Sequence, residues 1–228
     1  MHRTLAWEPI DIGQRILLLQ QGIARYLSSL PENRMHDRGK ASRWLDMLDD
    51  TASAIAAVRS VVIPAIETDL GYPLTRPDLV ILAMFQPSTR NLFEEIRVHF
   101  REAGDCTLTT EELEQMAGLS DAAATLAWIG DAALKIGVLP EIWSPDIRKA
   151  GSLTEERQRY ESNANMARLS DRWALYRHSI RFGHEEPEAD RDHLKGTLVE
   201  SILGIIFLEG GLKRVGEAAR LLRPGEET

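Results

Sequence analysis

Two runs in the last hundred residues, Leu126-Ala-Trp-Ile-Gly-Asp-Ala-Ala-Leu134 and Gly196-Thr-Leu-Val-Glu-Ser-Ile-Leu-Gly-Ile-Ile-Phe-Leu-Glu-Gly-Gly211, constrain the fold most. Residues 125–139 and 198–208 carry more apolar side chains than one helix face requires, so each segment is expected to be buried on more than one side. Within each apolar stretch stands one carboxylate, Asp131 or Glu200. An unpaired charge in such surroundings is costly, or it is neutralised by a shift of its pKa. A metal ion shared between the two helices would remove that cost.

The rest of the chain repeats the helical pattern, and no stretch alternates strictly for a strand's length between turn signals. The fold class expected is all-α. A first helix is predicted over residues 11–30, with Ile12, Ile16, Leu19, Ile23 and Leu27 on its apolar side. A second is predicted over 39–62, kinked or ended by Pro64. Pro77 and Asp78 open a short helix that stops before Gln86-Pro87-Ser88, and residues 91–103 form another. Thr109 and Glu112 stand at capping-box spacing for a helix ending near Gly118, and Ser120 or Asp121 can cap the helix that carries Asp131. A long helix is predicted from Gly151 to about Tyr176, then a polar, acidic loop over 182–193. The most apolar helix follows over 195–208, Gly210-Gly211 ends it, and a closing helix covers 212–222.

With 228 residues the chain can bury a substantial core, and its composition is that of a globular protein. The single cysteine, Cys106, excludes an internal disulfide and a cysteine-based zinc site, which points to the cytoplasm. Residues 1–7 hold no signal-peptide core, and the longest apolar run, 51–66, is broken by Arg59 and Pro64, so no membrane partner is expected. A net charge of −8 argues against a general polyanion binder, so any nucleic acid must meet a local basic patch or metal ions.

From about Ile66 onward the order of features resembles the ribonuclease III family. The segment from Leu70-Gly-Tyr-Pro-Leu-Thr to Phe85-Gln-Pro-Ser88 is similar to the family's first helix and its His-Pro-Ser turn, with Gln86 in place of the histidine. Residues 126–134 resemble the signature ending Phe-Leu-Gly-Asp-Ala. Gly151-Ser-Leu-Thr154, Arg157, Asn165-Met-Ala-Arg-Leu169 and Trp173-Ala-Leu-Tyr176 follow the connecting helices, and Val199-Glu-Ser-Ile-Leu-Gly204 leads the last signature helix. The resemblance implies an N-terminal helical extension over 1–65, a ribonuclease III-like domain over 66–223 with an insertion at about 91–119, and a flexible tail over 224–228.

In that family a divalent ion is held by a glutamate four residues before the signature aspartate, by that aspartate, and by an aspartate and a glutamate three residues apart on the later helix. The matching positions here are Ala127, Asp131, Thr197 and Glu200, so two of the four acids are replaced; two further family acids fall at Ala124 and Ala150. The Mini-ribonuclease III branch, which lacks a separate double-stranded-RNA-binding domain, has alanine and threonine at the same two places. The resemblance therefore implies a metal-dependent endoribonuclease of double-stranded or structured RNA, working as a homodimer. Asp131 and Glu200 would be metal ligands, Thr197 an accessory catalytic residue, and magnesium the ion, with manganese as its substitute.

The chemistry suits those residue types. Magnesium needs only one or two carboxylates and keeps several waters, and it activates water while neutralising phosphoryl oxygens. Thr197 lies one turn before Glu200, where its hydroxyl could bind a metal-held water. Each residue also has a structural reading: Asp131 satisfying a neighbouring backbone group or arginine, Glu200 paired with Arg157 or Lys195, Thr197 bonded to its own preceding turn. Arg148, Lys149, Arg157 and Arg159 are the nearest basic cluster for phosphate contacts, and His184 with His193 marks a weaker second metal position. The alternative to a nuclease is a catalytically inactive ribonuclease III-like dimer serving as an RNA- or protein-binding scaffold.

Overall fold

The computed structural model describes residues 10–103, 106–144, 150–183 and 187–224. Among these the regular elements are all helical, and the one extended pairing is an isolated parallel bridge between Phe85 and Ile180. The fold is all-α.

Helix α1 (Ile12–Ser29) is capped by Asp11, whose carboxylate accepts from the Gln14 N–H at 2.9 Å. Its buried Ile12, Ile16, Leu19 and Ile23 lie along the side packed against α2 (Met35–Ala57), which contributes Trp44, Leu48 and Ile55. Helix α2 starts at Met35, earlier than the expected Gly39, because the exposed Arg34–Asp37 pair supports one more turn. Pro64 does not end the helix. A π turn over Val58–Val62 widens the backbone just ahead of it, where the proline ring would crowd the carbonyl four residues back, and α3 (Ile63–Leu70) continues until Gly71 closes it at φ 74°.

Helix α4 (Pro77–Ala83) is buried from Leu79 through Ala83, and a separate 3-10 turn at Pro87–Thr89 follows the Phe85 bridge residue. Helix α5 (Arg90–Ala103) pairs with α6 (Thr110–Ala117), which carries the full capping box between Thr109 and Glu112. Helix α7 (Leu119–Gly137) follows directly. Its N-cap is Gly118, with no side-chain cap, because Ser120 is buried inside the first turn and Asp121 pairs with Arg90 at 3.1 Å; the expected cap at either residue is corrected.

After the short α8 (Leu139–Ile142), the single helix expected over 151–176 is two: α9 (Ala150–Tyr160) and α10 (Asn163–Arg172). Ser162 makes the break by capping α10, accepting from the Asn165 N–H at 3.3 Å. Helix α11 (Glu188–Ala219) begins inside the stretch read as a loop, directly after Pro187, and carries a sharp kink at Gly211 (φ 64°, ψ −165°), where the sequence places a helix end. His184 and residues 225–228 of the expected tail lie outside the described residues.

The centre of the molecule is the crossing of α7 and α11. A β-carbon at Gly130 would come within 1.8 Å of the Glu200 carbonyl oxygen, and one at Gly204 within 2.1 Å of the Leu126 carbonyl oxygen. The two glycines let the backbones touch, and Leu126, Leu134, Leu198, Val199, Ile202 and Leu203 fill the space around them. By length and composition Met35–Leu70 and Leu119–Ile142 would each suffice to cross a membrane. For the second, packing against α11 accounts for the apolar face.

Candidate metal centre

The glycine contact fixes where the two carboxylates stand. Gly130 directly precedes Asp131, and the atom it abuts is the carbonyl of Glu200, so the close approach sets Asp131 and Glu200 beside each other at the crossing. The expectation that two helices bring these residues together holds. Asp131 is partly exposed, and its carboxylate accepts a charge-assisted hydrogen bond from the Lys135 ammonium at 2.6 Å, one turn further along α7. That bond holds the Lys135 ammonium above its ordinary pKa. The partner of Asp131 is thus a lysine on its own helix.

Glu200 is half-buried, and its carboxyl is pushed up to about 7, chiefly by burial and then by the negative charges of Asp131 and Glu161. Among the described residues no hydrogen bond or ion pair reaches its carboxylate. The two cations considered as its structural partners are engaged elsewhere: Arg157 pairs with Glu161 at 3.1 Å and Lys195 with Asp171 at 2.7 Å. Both structural pairings for Glu200 are therefore corrected.

Thr197 is in the position its structural reading foresaw. Its hydroxyl donates to the His193 carbonyl at 3.2 Å, within its own helix. It also borders a cavity of about 330 Å³ walled by Phe85, Gln86, Ser120, Ala124 and Leu198, which neither Asp131 nor Glu200 lines. The fold brings Asp131 and Glu200 together; it turns Thr197 toward a separate space.

Glu161 was not singled out from the sequence. It stands in the short break between α9 and α10, and its charge acts on Asp131, Glu200 and Lys135. Its own carboxyl is raised, mainly by burial. Read as part of one continuous helix, Glu161 had no reason to face the crossing. The usable signal was Ser162 three residues before Asn165, an N-cap placement that breaks the helix and frees Glu161 to turn inward.

The donor set fits a hard divalent cation in kind: three carboxylates with excess negative charge, one of them unpaired and driven toward its protonated form. It is not closed as it stands, since among the described residues no three metal-ligating side chains converge tightly enough to hold an ion. Ala127 is buried and Ala124 exposed, so the positions of two missing acids offer no oxygen. Arg148 and Lys149 lie outside the described residues, while Arg159 pairs with Glu156 at 3.3 Å. The basic cluster is in part committed to ion pairs.

Part of the outer face of α7 is apolar. Trp128 is 73% exposed and Ile136 54%, with Leu139 just beyond, so a hydrophobic stripe runs beside Asp131 and Lys135.

Comparison with known proteins gives one family. Residues 124–211 match the family described as Ribonuclease III domain, a span that holds Asp131, Glu161, Thr197 and Glu200 and is shorter than the 66–223 read from the motifs. No curated protein matches the chain. No solved structure matches it either.

Proposed function

We propose, from the match of residues 124–211 to the ribonuclease III domain family, that the chain is a divalent-metal-dependent endoribonuclease acting on double-stranded or structured RNA in the cytoplasm. The observation that carries the reading is Glu200: a half-buried carboxylate with no protein cation bonded to it, set against Asp131 by the Gly130–Gly204 contact. Burying such a group beside a second carboxylate is costly unless a cation compensates it.

Asp131 and Glu200 would hold the ion through their oxygens. When bound, magnesium or manganese supplies an activated water and neutralises the phosphoryl oxygens. The protein's own contribution is positional. The α7–α11 crossing fixes the carboxylates without reliance on loops, and Glu161 adds negative charge from a third helix end. Recognition would rest on A-form shape and phosphates, because the RNA major groove is too narrow to read.

The exposed stripe of Trp128, Ile136 and Leu139 supports assembly as a two-fold homodimer, in which the same stripe on each copy covers the other and one site stands at each end of the duplex-binding valley. The scaffold reading draws on one observation, the Lys135–Asp131 pair that already satisfies one carboxylate. Glu200, left without such a partner, favours the nuclease.

The test is cleavage of a long RNA duplex at low salt with magnesium, with manganese and with chelator. Wild-type protein is expected to shorten the duplex only with metal, and Asp131→Asn to lose cleavage while remaining folded and dimeric. Cleavage retained by Asp131→Asn would place the site elsewhere.

A further inference from the structure

Lys135 is the cation that the structure does place at the crossing. Its ammonium lies 2.6 Å from the Asp131 carboxylate, and it also acts electrostatically on Glu200 and Glu161. It is bonded to Asp131 alone, and its charge reaches Glu200 and Glu161 only through space. Among the described residues it has no other bond: the side chain is 45% exposed and stands on the outer face of α7, so the ammonium can swing into water about its own flexible stem. Arg157, the second cation of the cluster, is committed to Glu161 from one turn before it.

With three carboxylates and two cations, the cluster keeps one surplus negative charge when all groups are ionised. A divalent ion entering beside Asp131 meets the Lys135 ammonium within hydrogen-bond distance of the same oxygen. The two cations cannot both sit there, because like charges a few ångströms apart in a half-buried site repel strongly.

Resting on the reading of Asp131 and Glu200 as the metal centre, we propose that Lys135 is a tethered stand-in cation. It fills the metal position at Asp131 in the metal-free protein and must leave that carboxylate for a divalent ion to bind. The lysine thereby sets the affinity of the site for metal and keeps the fold tolerant of the empty state. Metal binding and the Lys135–Asp131 pair are mutually exclusive.

Manganese binding to the full chain, read from the loss of the free-ion electron paramagnetic resonance signal, tests this without reference to activity. Lys135→Met, which keeps the stem and removes the charge, is expected to bind Mn2+ about tenfold more tightly than wild type or better. Lys135→Gln should behave likewise, and Lys135→Arg should stay near wild type. Adding Asp131→Asn to Lys135→Met should abolish the gain. Equal or weaker binding by both neutral variants, with wild-type circular dichroism, would overturn the proposal, as would a gain that survives the loss of Asp131. If the neutral variants bind Mn2+ tightly through Asp131 yet no form of the protein cuts duplex RNA, the nuclease reading falls and the role of Lys135 stands.

Discussion

Replacing Glu200 by glutamine should stabilise the metal-free protein, and only above a certain pH. The carboxyl is pushed from 4.5 up to about 7 in the folded chain. Its folded pKa is raised, so the native state holds the proton more firmly than the unfolded state does. Whatever the protonated group contributes is fully present below about pH 4.5 and is lost as pH rises through about 7. That displacement corresponds to about 3 kcal/mol of penalty in the ionised form, at 1.36 kcal/mol per tenfold change. Glu200 is only half-buried, and solvent screening reduces the figure to about 1–2 kcal/mol. Glutamine keeps the shape and carries no charge, so Glu200→Gln should gain that amount at pH 8.5 in chelator and only about a quarter of it at pH 5. For a chain of this size the gain is a rise in melting temperature of roughly 2–8 °C. Urea and thermal unfolding of both proteins at the two pH values would measure it. Saturating manganese should reverse the order, because the ion stabilises only the wild-type carboxylate pair. A variant that is less stable than wild type at pH 8.5 without metal would refute the reasoning, since Glu200 would then have a favourable partner in the folded protein.

Three further outcomes follow from the geometry. Gly130→Ala puts a methyl group within 1.8 Å of the Glu200 carbonyl and must push α7 and α11 apart, so a loss of about 3 kcal/mol or more in urea unfolding is expected; Gly71→Asn, at a positive φ with open space around it, should cost far less. Thr109→Ala removes one half of the α6 capping box and should cost about 1 kcal/mol with no change in metal binding. Trp128→Glu, on the exposed stripe, should convert a dimer to a monomer in sedimentation at micromolar concentration while the helical circular dichroism is kept. A dimer unaffected by that charge would mean that the stripe faces another partner.

Much of this arrangement was legible before the coordinates. The apolar surplus around Asp131 and Glu200 predicted two deeply packed helices, and the glycines that permit their contact, Gly130 and Gly204, lie inside the runs that defined them. The Thr109–Glu112 capping box acts through local hydrogen bonds, and its spacing is visible in residue order. What failed depended on neighbours distant in sequence or on small backbone adjustments. The π turn before Pro64 absorbs a clash that would otherwise end the helix. Ser162 breaks a pattern whose apolar spacing runs on across it. Asp121 gives up capping for Arg90, which lies thirty-one residues earlier. At the site, Asp131 and Glu200 stood out because charge is rare in apolar runs. Lys135 and Glu161 carry no such signal, because a lysine one turn after an aspartate and a glutamate in a polar stretch are ordinary surface patterns. Only the packed crossing turns them into neighbours of Glu200.

The most direct test of the account is the chemistry of the RNA ends made by the wild-type chain. A long duplex incubated with magnesium should yield short fragments bearing 5′-phosphate and 3′-hydroxyl groups, the products of water adding to phosphorus as the P–O3′ bond breaks and the 3′ oxygen leaves with a proton, and chelator should prevent their formation. Fragments ending in cyclic phosphate, cleavage that persists in chelator, or RNA left intact by folded, metal-loaded protein would contradict it.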